Sequence, residues 1–518
     1  MVKPATHDWV SYHARRQPDA PALTQHETGL KRTWGELESR VGRLAHILQT
    51  RFRLGLADRV AVIADNDIRL FELQFACLRT GTILVPLNWR LSAGELVALA
   101  RDAGPKLLIH DATWAEQASH IAHDSGIAER LRWSDTLADS DYDRMIDGWA
   151  EALAGTMHDE DVITHILYTS GTTGLPKGAT CSQGTLKHHA LAMAQTSRIA
   201  ERGNHHLNIV PLFHAGALNT FSNPTLYWGG HVTTIRRFEP DVVLELLSDP
   251  SQRITHMCGV LQMFAPISEM PGFANAKIFL KALLFGGWGP GSVEVRRKWQ
   301  RNGLFPQLAY GSTEQGPLIT VLESGDDLAD NACAGAVVAG AELRIADPQG
   351  NALGMGEVGE IQTRGPSITP GYWQKSREDF FSPDGWFRTG DAGRLDEAGR
   401  LYVVDRLREI YRSGGENIYP AEVERVLSDC PGVQSICIIG VPDDRWGEVG
   451  MAIVEPIAGA TPSLETLLAH GKGRLARFKL PKYCAVIDAL PRNATSKVDR
   501  ADLKSRYSRR STSVVSYE

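Results

Sequence analysis

The chain has 518 residues, 43% hydrophobic and 22% charged, which is longer than one core supports, since cores stop growing near ~250–300 residues. No apolar run approaches the ~18–20 residues of a membrane-spanning helix, and the start MVKPATHDWVSYHARRQPDA shows no apolar signal core. With 55 Lys+Arg against 61 Asp+Glu there is no basic footprint for nucleic acid, and seven scattered cysteines without metal-ligand spacing suit reduced thiols in the cytoplasm.

In chain order, Thr33 to Glu36 reads as a capping box that opens a helix, with Leu37, Val41, Leu44 and Leu48 at helical spacing. Val60–Ala64 predicts a buried strand, Leu70–Leu78 a helix and Thr82–Pro86 a strand. Ser92 to Glu95 is a second capping box, and Lys106–His110 and Val162–Tyr168 are further strands. This alternation implies a mostly parallel sheet with helices packed on it. From about residue 335 the texture changes: Asp347-Pro-Gln-Gly350 and the glycines that follow predict turn-rich β structure. Beyond Arg406 a smaller alternation resumes, with a helix at Ala421–Leu427, a strand at Gln434–Val441, a helix near Leu464–His470 and a strand at Tyr483–Ile487. The tail from Ser505 is expected to be loose, and His188-His189 and His205-His206 are read as surface pairs. The fold class expected is α/β: a large N-terminal domain of α/β subdomains plus a β-rich subdomain, then a small α+β domain, with a boundary near Asp405–Tyr411.

The strongest chemical signal is Tyr168-Thr-Ser-Gly-Thr-Thr-Gly-Leu-Pro-Lys-Gly178. Its glycines let several backbone amides converge on one anion, and its hydroxyls and lysine add donors suited to a triphosphate. A Walker loop would run from Lys-Ser/Thr into a helix, whereas here Pro176 precedes Lys177 and Gly178 follows. The segment resembles the signature loop of the adenylate-forming superfamily, which includes acyl-CoA synthetases, firefly-type luciferases and nonribosomal peptide adenylation domains. Five further blocks follow in that family's order: Pro211-Leu-Phe-His-Ala-Gly216, Tyr310-Gly-Ser-Thr-Glu-Gln-Gly316, Gly385-Trp-Phe-Arg-Thr-Gly-Asp391, Asp405 to Pro420, and Pro491 to Arg500.

The resemblance implies a carboxylate that attacks the α-phosphorus of ATP, then a thiol that expels AMP from the acyl-adenylate. Lys497 would be the catalytic cation, although Ser496 stands where many members carry glycine. His214 would lie beside the acyl carboxylate. Thr169, Ser170, Gly171, Thr172, Thr173, Gly174 and Lys177 would hold the triphosphate. Tyr310 would stack on adenine, Thr313 would contact the α-phosphate, Asp391 the ribose and Arg406 the nucleotide, with Gly311 in the same ATP-binding set and Glu314 on Mg²⁺. Unaided by the resemblance, Ser-Thr-Glu reads as a helix start with an acid in its first turn.

The same resemblance divides the chain into an adenylation domain at 1–404, a hinge at 405–411 and a mobile domain at 412–518, with Arg408 at the hinge position where Asp or Lys is more usual. Gly414, Gly415, Trp446, Phe478 and Lys482 match contacts to CoA in some ligases, while Leu480 replaces an arginine found there. His214, Gly287 and Trp288 would line the acyl pocket, with Trp288 shortening or flattening it. The function expected is an ATP-dependent carboxylic acid:CoA ligase that releases AMP and pyrophosphate. The alternative is transfer of the acyl group to a carrier-protein thiol or another acceptor. The partners expected are a fatty, aromatic or polycyclic acid, ATP and CoA, with a homodimer as an allowed assembly.

Overall fold

The computed structural model describes residues 5–169, 176–286, 292–322, 333–413, 416–493, 497–507 and 515–516. Both capping boxes form: Thr33 with Glu36 starts helix Trp34–Thr50, and Ser92 with Glu95 starts Ala93–Ala103. Each pair satisfies amides that a helix start otherwise leaves without partners. The expected strands appear as Arg59–Ile63, Ile83–Pro86 and Leu107–Asp111, which run parallel in a six-stranded sheet. Side chains alternate between two cores. Val60 and Val62 pack on one face of this sheet, while Ala61 and Ile63 pack on the other. Ile163–Thr169 and Lys177–Ser182 close the sheet as an antiparallel pair, with Thr169 opposite Lys177. A strand, not a helix, therefore follows Pro176, and residues 170–175 lie outside the described residues.

The second sheet has nine strands. At its centre His231–Thr234, His205–Asn208, His256–Val260, Ala282–Gly286 and Gln307–Tyr310 are parallel, and both edges turn antiparallel. Its position corrects the reading of the histidine pairs. A central parallel strand has no solvent face, so His205 and His206 are buried, as is His189 in helix Gln183–Ser197. His205 stacks on His231 with ring centroids 4.0 Å apart, and its ring nitrogens meet Gln252 O at 2.6 Å and Thr233 Oγ1 at 2.7 Å. Burial pushes His189 and His206 down to about 3. Only His188 of the four is partly open to solvent, where it meets Glu160 at 3.0 Å.

The turn-rich segment folds as a four-stranded antiparallel sheet, Glu342–Ala346, Gly359–Arg364, Phe387–Leu395 and Leu401–Arg406. Asp347 organises its first turn by accepting from the amides of Gln349 and Asn351. Beyond Tyr411 a last sheet is built on the hairpin of Val433–Asp443 with Gly447–Pro456, and Tyr483–Val486 lies parallel to the second strand. Strand Gly447–Pro456 was not expected, because glycines weaken a strand signal. Its Gly450, like Gly440 opposite, makes room for Tyr411: a Cβ on either would stand 2.5 Å from that side chain. Helix Arg500–Tyr507 carries order past Ser505, where a loose tail was expected. All seven cysteines are buried and unpaired. Among the described residues no helix is long and apolar enough to cross a membrane.

Candidate active site

Among the described residues, several of the predicted ATP-binding residues meet in pairs across separate segments. Strand Gln307–Tyr310 leads into Gly311, where a Cβ would stand 2.0 Å from Pro317 O, so only glycine fits. The chain then makes one 3₁₀ turn at Thr313–Gln315, the short form of the helix start read from Ser-Thr-Glu. That turn leaves Thr313 half-buried and Glu314 buried. The Tyr372 hydroxyl donates to Glu314 Oε1 at 2.6 Å, and Thr169 Oγ1 approaches the same oxygen at 3.4 Å. Lys177, opposite Thr169, holds its ammonium over the Phe380 and Tyr372 rings, 4.6 Å and 5.6 Å from their centroids.

Asp391 lies on strand Phe387–Leu395, directly opposite Arg406 on Leu401–Arg406. Tyr310 donates to Asp391 Oδ2 at 2.7 Å. Arg406 Nε stands 2.7 Å from Oδ1, but its N–H is not aligned to donate there, so this buried oxygen remains an open acceptor. Burial raises the Asp391 carboxyl, while Arg406, Tyr310 and Lys497 pull it back down. The Tyr310 phenol is raised by burial and then by Asp391, and it keeps its proton.

Lys497 comes from the far end of the chain, where its amide donates to Asn493 Oδ1 at 3.1 Å. Its ammonium is lowered by the surrounding protein and by Arg406, and raised by Asp391 and Glu314. The side chain keeps solvent access, so water screens much of that depression. His214 lies within the field of the same lysine. Burial first, then Arg90 and Lys497, push its imidazole down to about 4. Lys497 is therefore in electrostatic reach of Asp391, Glu314 and His214, which come from three other segments.

Beside His214 the walls recede. Among the described residues a Cβ on Gly216 would meet nothing within 4 Å, and one on Gly286 only Gly259 O at 3.5 Å. Cys258 Sγ faces Gly216 O at 3.8 Å. Gly287 and Trp288 lie outside the described residues, as do Ser170, Gly171, Thr172, Thr173, Gly174, Gly414, Gly415 and Ser496. Leu218–Ser222 then forms a π-helical turn, a feature common at functional sites. A buried chain of side-chain bonds braces that turn: Asn223 Nδ2 donates to Asn219 Oδ1 at 2.9 Å, Gln74 Nε2 to Asn223 Oδ1 at 2.6 Å, and His165 meets Gln74 Oε1 at 3.2 Å.

Two residues near this space were missed in the sequence. Arg90 stands over Trp89 and Phe213, 4.9 Å and 5.7 Å from their centroids, exposed and without an ion pair to a described carboxylate. The adjacent Trp89-Arg90 was a signal for a cation on an aromatic ledge, but nothing local ties it to His214. Tyr372, the partner of Glu314, is the second.

The predicted CoA residues gather elsewhere. Lys482 Nζ lies 5.3 Å from the Trp446 ring and Phe478 is exposed nearby in sequence. Among the described residues no hydrogen bond, ion pair or ring contact joins these three to Asp391, Glu314 or His214. At the hinge, Arg408 Nε meets Glu409 Oε1 at 3.1 Å, and Lys504 meets the other oxygen at 3.4 Å.

Asp391, Tyr310 and Glu314 in the large domain, with Lys497 from the far end of the chain in electrostatic reach, form the arrangement expected of an adenylate-forming enzyme. Residues 10–373 match the AMP-binding enzyme family and residues 422–497 its C-terminal domain, and the chain belongs to that family. It is 36% identical to a feruloyl-CoA synthase of Amycolatopsis sp, over 96% of this chain and 98% of the relative. It is 32% identical to the indoleacetate–CoA ligase of Aromatoleum aromaticum, over 96% and 97%. Its backbone matches ATP-bound MatB from Rhodopseudomonas palustris with a TM-score of 0.87 at 29% identity, covering 97% and 99% of the two chains. The o-succinylbenzoate CoA synthetase of Bacillus subtilis with its acyl-adenylate matches with a TM-score of 0.84 at 28% identity, covering 97% and 98%. The protein is an AMP-forming acid:CoA ligase that works through an acyl-adenylate.

Proposed function

We propose that this ligase activates an aryl-substituted carboxylic acid, with Lys497 joining acid to nucleotide in the first half-reaction and the small lobe turning about Arg408 for the second. The observation that supports the first half is that Lys497 lies in electrostatic reach of Asp391, Glu314 and His214. Two anions must meet in line, and a lysine ammonium between them offsets their repulsion. His214, neutral at pH 7, donates or accepts a hydrogen bond beside the acyl carboxylate without competing with Lys497 as a cation. Asp391 Oδ1, buried and lacking a hydrogen bond, suits a ribose hydroxyl. Arg406 would lie along the nucleotide, Tyr310 and Gly311 against adenine and Thr313 by the α-phosphate, with Thr169, Lys177 and the intervening loop on the triphosphate.

Glu314 and the Thr169 hydroxyl are hard oxygen donors that fit Mg²⁺, which when bound would neutralise phosphate charge. The match in lobe arrangement supports a nucleotide-ready state: ATP-bound MatB gives a TM-score of 0.87 and apo MatB 0.77. For the acid, the support is the room that Gly216 and Gly286 leave among the described residues, together with two relatives whose acids carry aromatic rings. Domain limits of 1–404, 405–411 and 412–518 belong to the same proposal. Pyrophosphate release over aliphatic, aromatic and polycyclic acids tests it. Selective turnover of ring-bearing acids is expected, and a preference for long unbranched acids would overturn the substrate class. Trp288→Ala should then admit bulkier acids.

A further inference from the structure

Glu314 and Lys177 are 137 residues apart in sequence, yet one tyrosine touches both. The Tyr372 hydroxyl donates to Glu314 Oε1 at 2.6 Å, the short, charge-assisted kind of bond that orients a carboxylate. The Tyr372 ring lies 5.6 Å below the Lys177 ammonium, and Phe380, packed edge-on at 4.3 Å, brings a second ring to 4.6 Å from the same nitrogen. These distances fall within the ~6 Å over which an aromatic face attracts a cation.

Tyr372 is itself tightly placed. It forms a β-bridge with Ala179, Trp373 N donates to Gly178 O at 2.7 Å, and Thr180 N and Oγ1 donate to Gly371 O at 3.0 Å and 2.7 Å. The strand that leaves the phosphate loop and the segment carrying Tyr372 are therefore stitched backbone to backbone. Glu314 is tied to the same stitch, since its carbonyl accepts from Thr369 N at 2.7 Å.

We propose that Tyr372 is a positioning residue for the first half-reaction. Its hydroxyl fixes one oxygen of Glu314 so that the other faces the metal-bound phosphates, and its ring, backed by Phe380, holds Lys177 in readiness for the triphosphate. This rests on the assignment of Glu314 to the metal and Lys177 to the phosphates. Deleting the hydroxyl alone separates the two roles. Tyr372→Phe keeps the ring under Lys177 and frees Glu314, whereas Tyr372→Leu loses both contacts, and Phe380→Leu weakens only the lysine platform.

The test uses the full chain with ATP and Mn²⁺ but no acid, reading free Mn²⁺ by electron paramagnetic resonance so that no turnover is required. Tyr372→Phe should weaken Mn²⁺ binding about tenfold, the loss expected for a hydrogen bond to a charged group, with an unchanged ligand-free melting temperature. Its KM for ATP at saturating metal should stay at the parent value. Phe380→Leu should do the reverse, raising that KM with metal binding intact. The double variant Tyr372→Phe, Glu314→Gln should bind Mn²⁺ no more weakly than Glu314→Gln alone, because both changes act through one carboxylate. If Glu314→Gln weakens Mn²⁺ binding and Tyr372→Phe does not, the inference is overturned and the metal assignment stands. If Glu314→Gln has no effect, the metal assignment falls and this inference with it. Additive losses in the double variant would also overturn it.

Discussion

The two lobes solve opposite problems. In the large lobe, Tyr310, Asp391, Glu314 and Tyr372 are held by each other and by register across the sheets, so the acceptors are set before nucleotide arrives. In the small lobe the groups assigned to chemistry are exposed and loosely tied: Lys497 has solvent access, and Trp446 and Phe478 are 38% and 47% exposed. Preorganisation suits the lobe that receives ATP, because dipoles fixed in advance need no reorganisation during reaction. If the small lobe turns as proposed, it presents two different faces in turn and can bury neither. Histidine usage follows the same division. Of 17 histidines, only His470 lies beyond the hinge.

That asymmetry gives the largest expected effect. His165, His189 and His206 are pushed by burial to about 3, and His214 and His256 to about 4. An unfolded chain titrates near 6.5. Above that pH both states are neutral and these residues contribute nothing to the pH dependence. As pH falls from 6.5 towards 4, the unfolded state takes up protons that the folded lobe refuses, so stability falls, by up to ~1.4 kcal/mol per pH unit for each such histidine. The large lobe should therefore open in mild acid before the small one. Amide hydrogen exchange between pH 7 and 5 checks this lobe by lobe, and equal loss of protection in both would break the comparison.

The next effect is on chemistry. Lys497→Ala should slow adenylation ~10²–10³-fold, the usual cost of removing one donor from a developing charge. It should leave thioester formation from a supplied acyl-adenylate close to the parent rate. Quenched-flow measurement of the two half-reactions decides it, and equal slowing of both would show that the lysine serves the whole cycle. Asp391→Asn should act more mildly and only through the large lobe. It weakens the acceptor offered to ribose and leaves Tyr310 a partner, so KM for ATP should rise about tenfold or more with little change in KM for CoA. A shift in CoA affinity of the same size would contradict the separation of the lobes.

What the sequence disclosed follows the reach of each constraint. Capping boxes and the turn at Asp347 are local, so neighbouring residues display them, whereas the need for glycine at 311 shows only once Pro317 folds back on it. The motif blocks were legible for a different reason, their resemblance to those of a known family. Tyr372 was not legible, because its partner Glu314 lies 58 positions away in a 3₁₀ turn of another segment. The burial of His205 and His206 depended on which strand would become central, a fact of sheet order and not of spacing. Strand Gly447–Pro456 was hidden by the very glycines that let Tyr411 pack across it.

The smallest effect tests the exposed side of the comparison. Trp446 has two cations within reach of its ring, Lys482 at 5.3 Å and Arg445 at 4.8 Å from its centroid. At an exposed site such contacts are worth ~0.5–1 kcal/mol, too little to explain an indole and a lysine kept together on a surface for stability alone. If the pair receives the CoA nucleotide, Trp446→Ala should raise KM for CoA by roughly the fewfold to tenfold that loss of one ring contact allows. Pyrophosphate release in the first half-reaction should not change, and the melting temperature should barely move. The readout is thioester formation at varied CoA with acyl-adenylate preformed. A variant with unaltered KM for CoA would place the thiol's entry elsewhere, and the small lobe would then owe its exposed face to rotation alone.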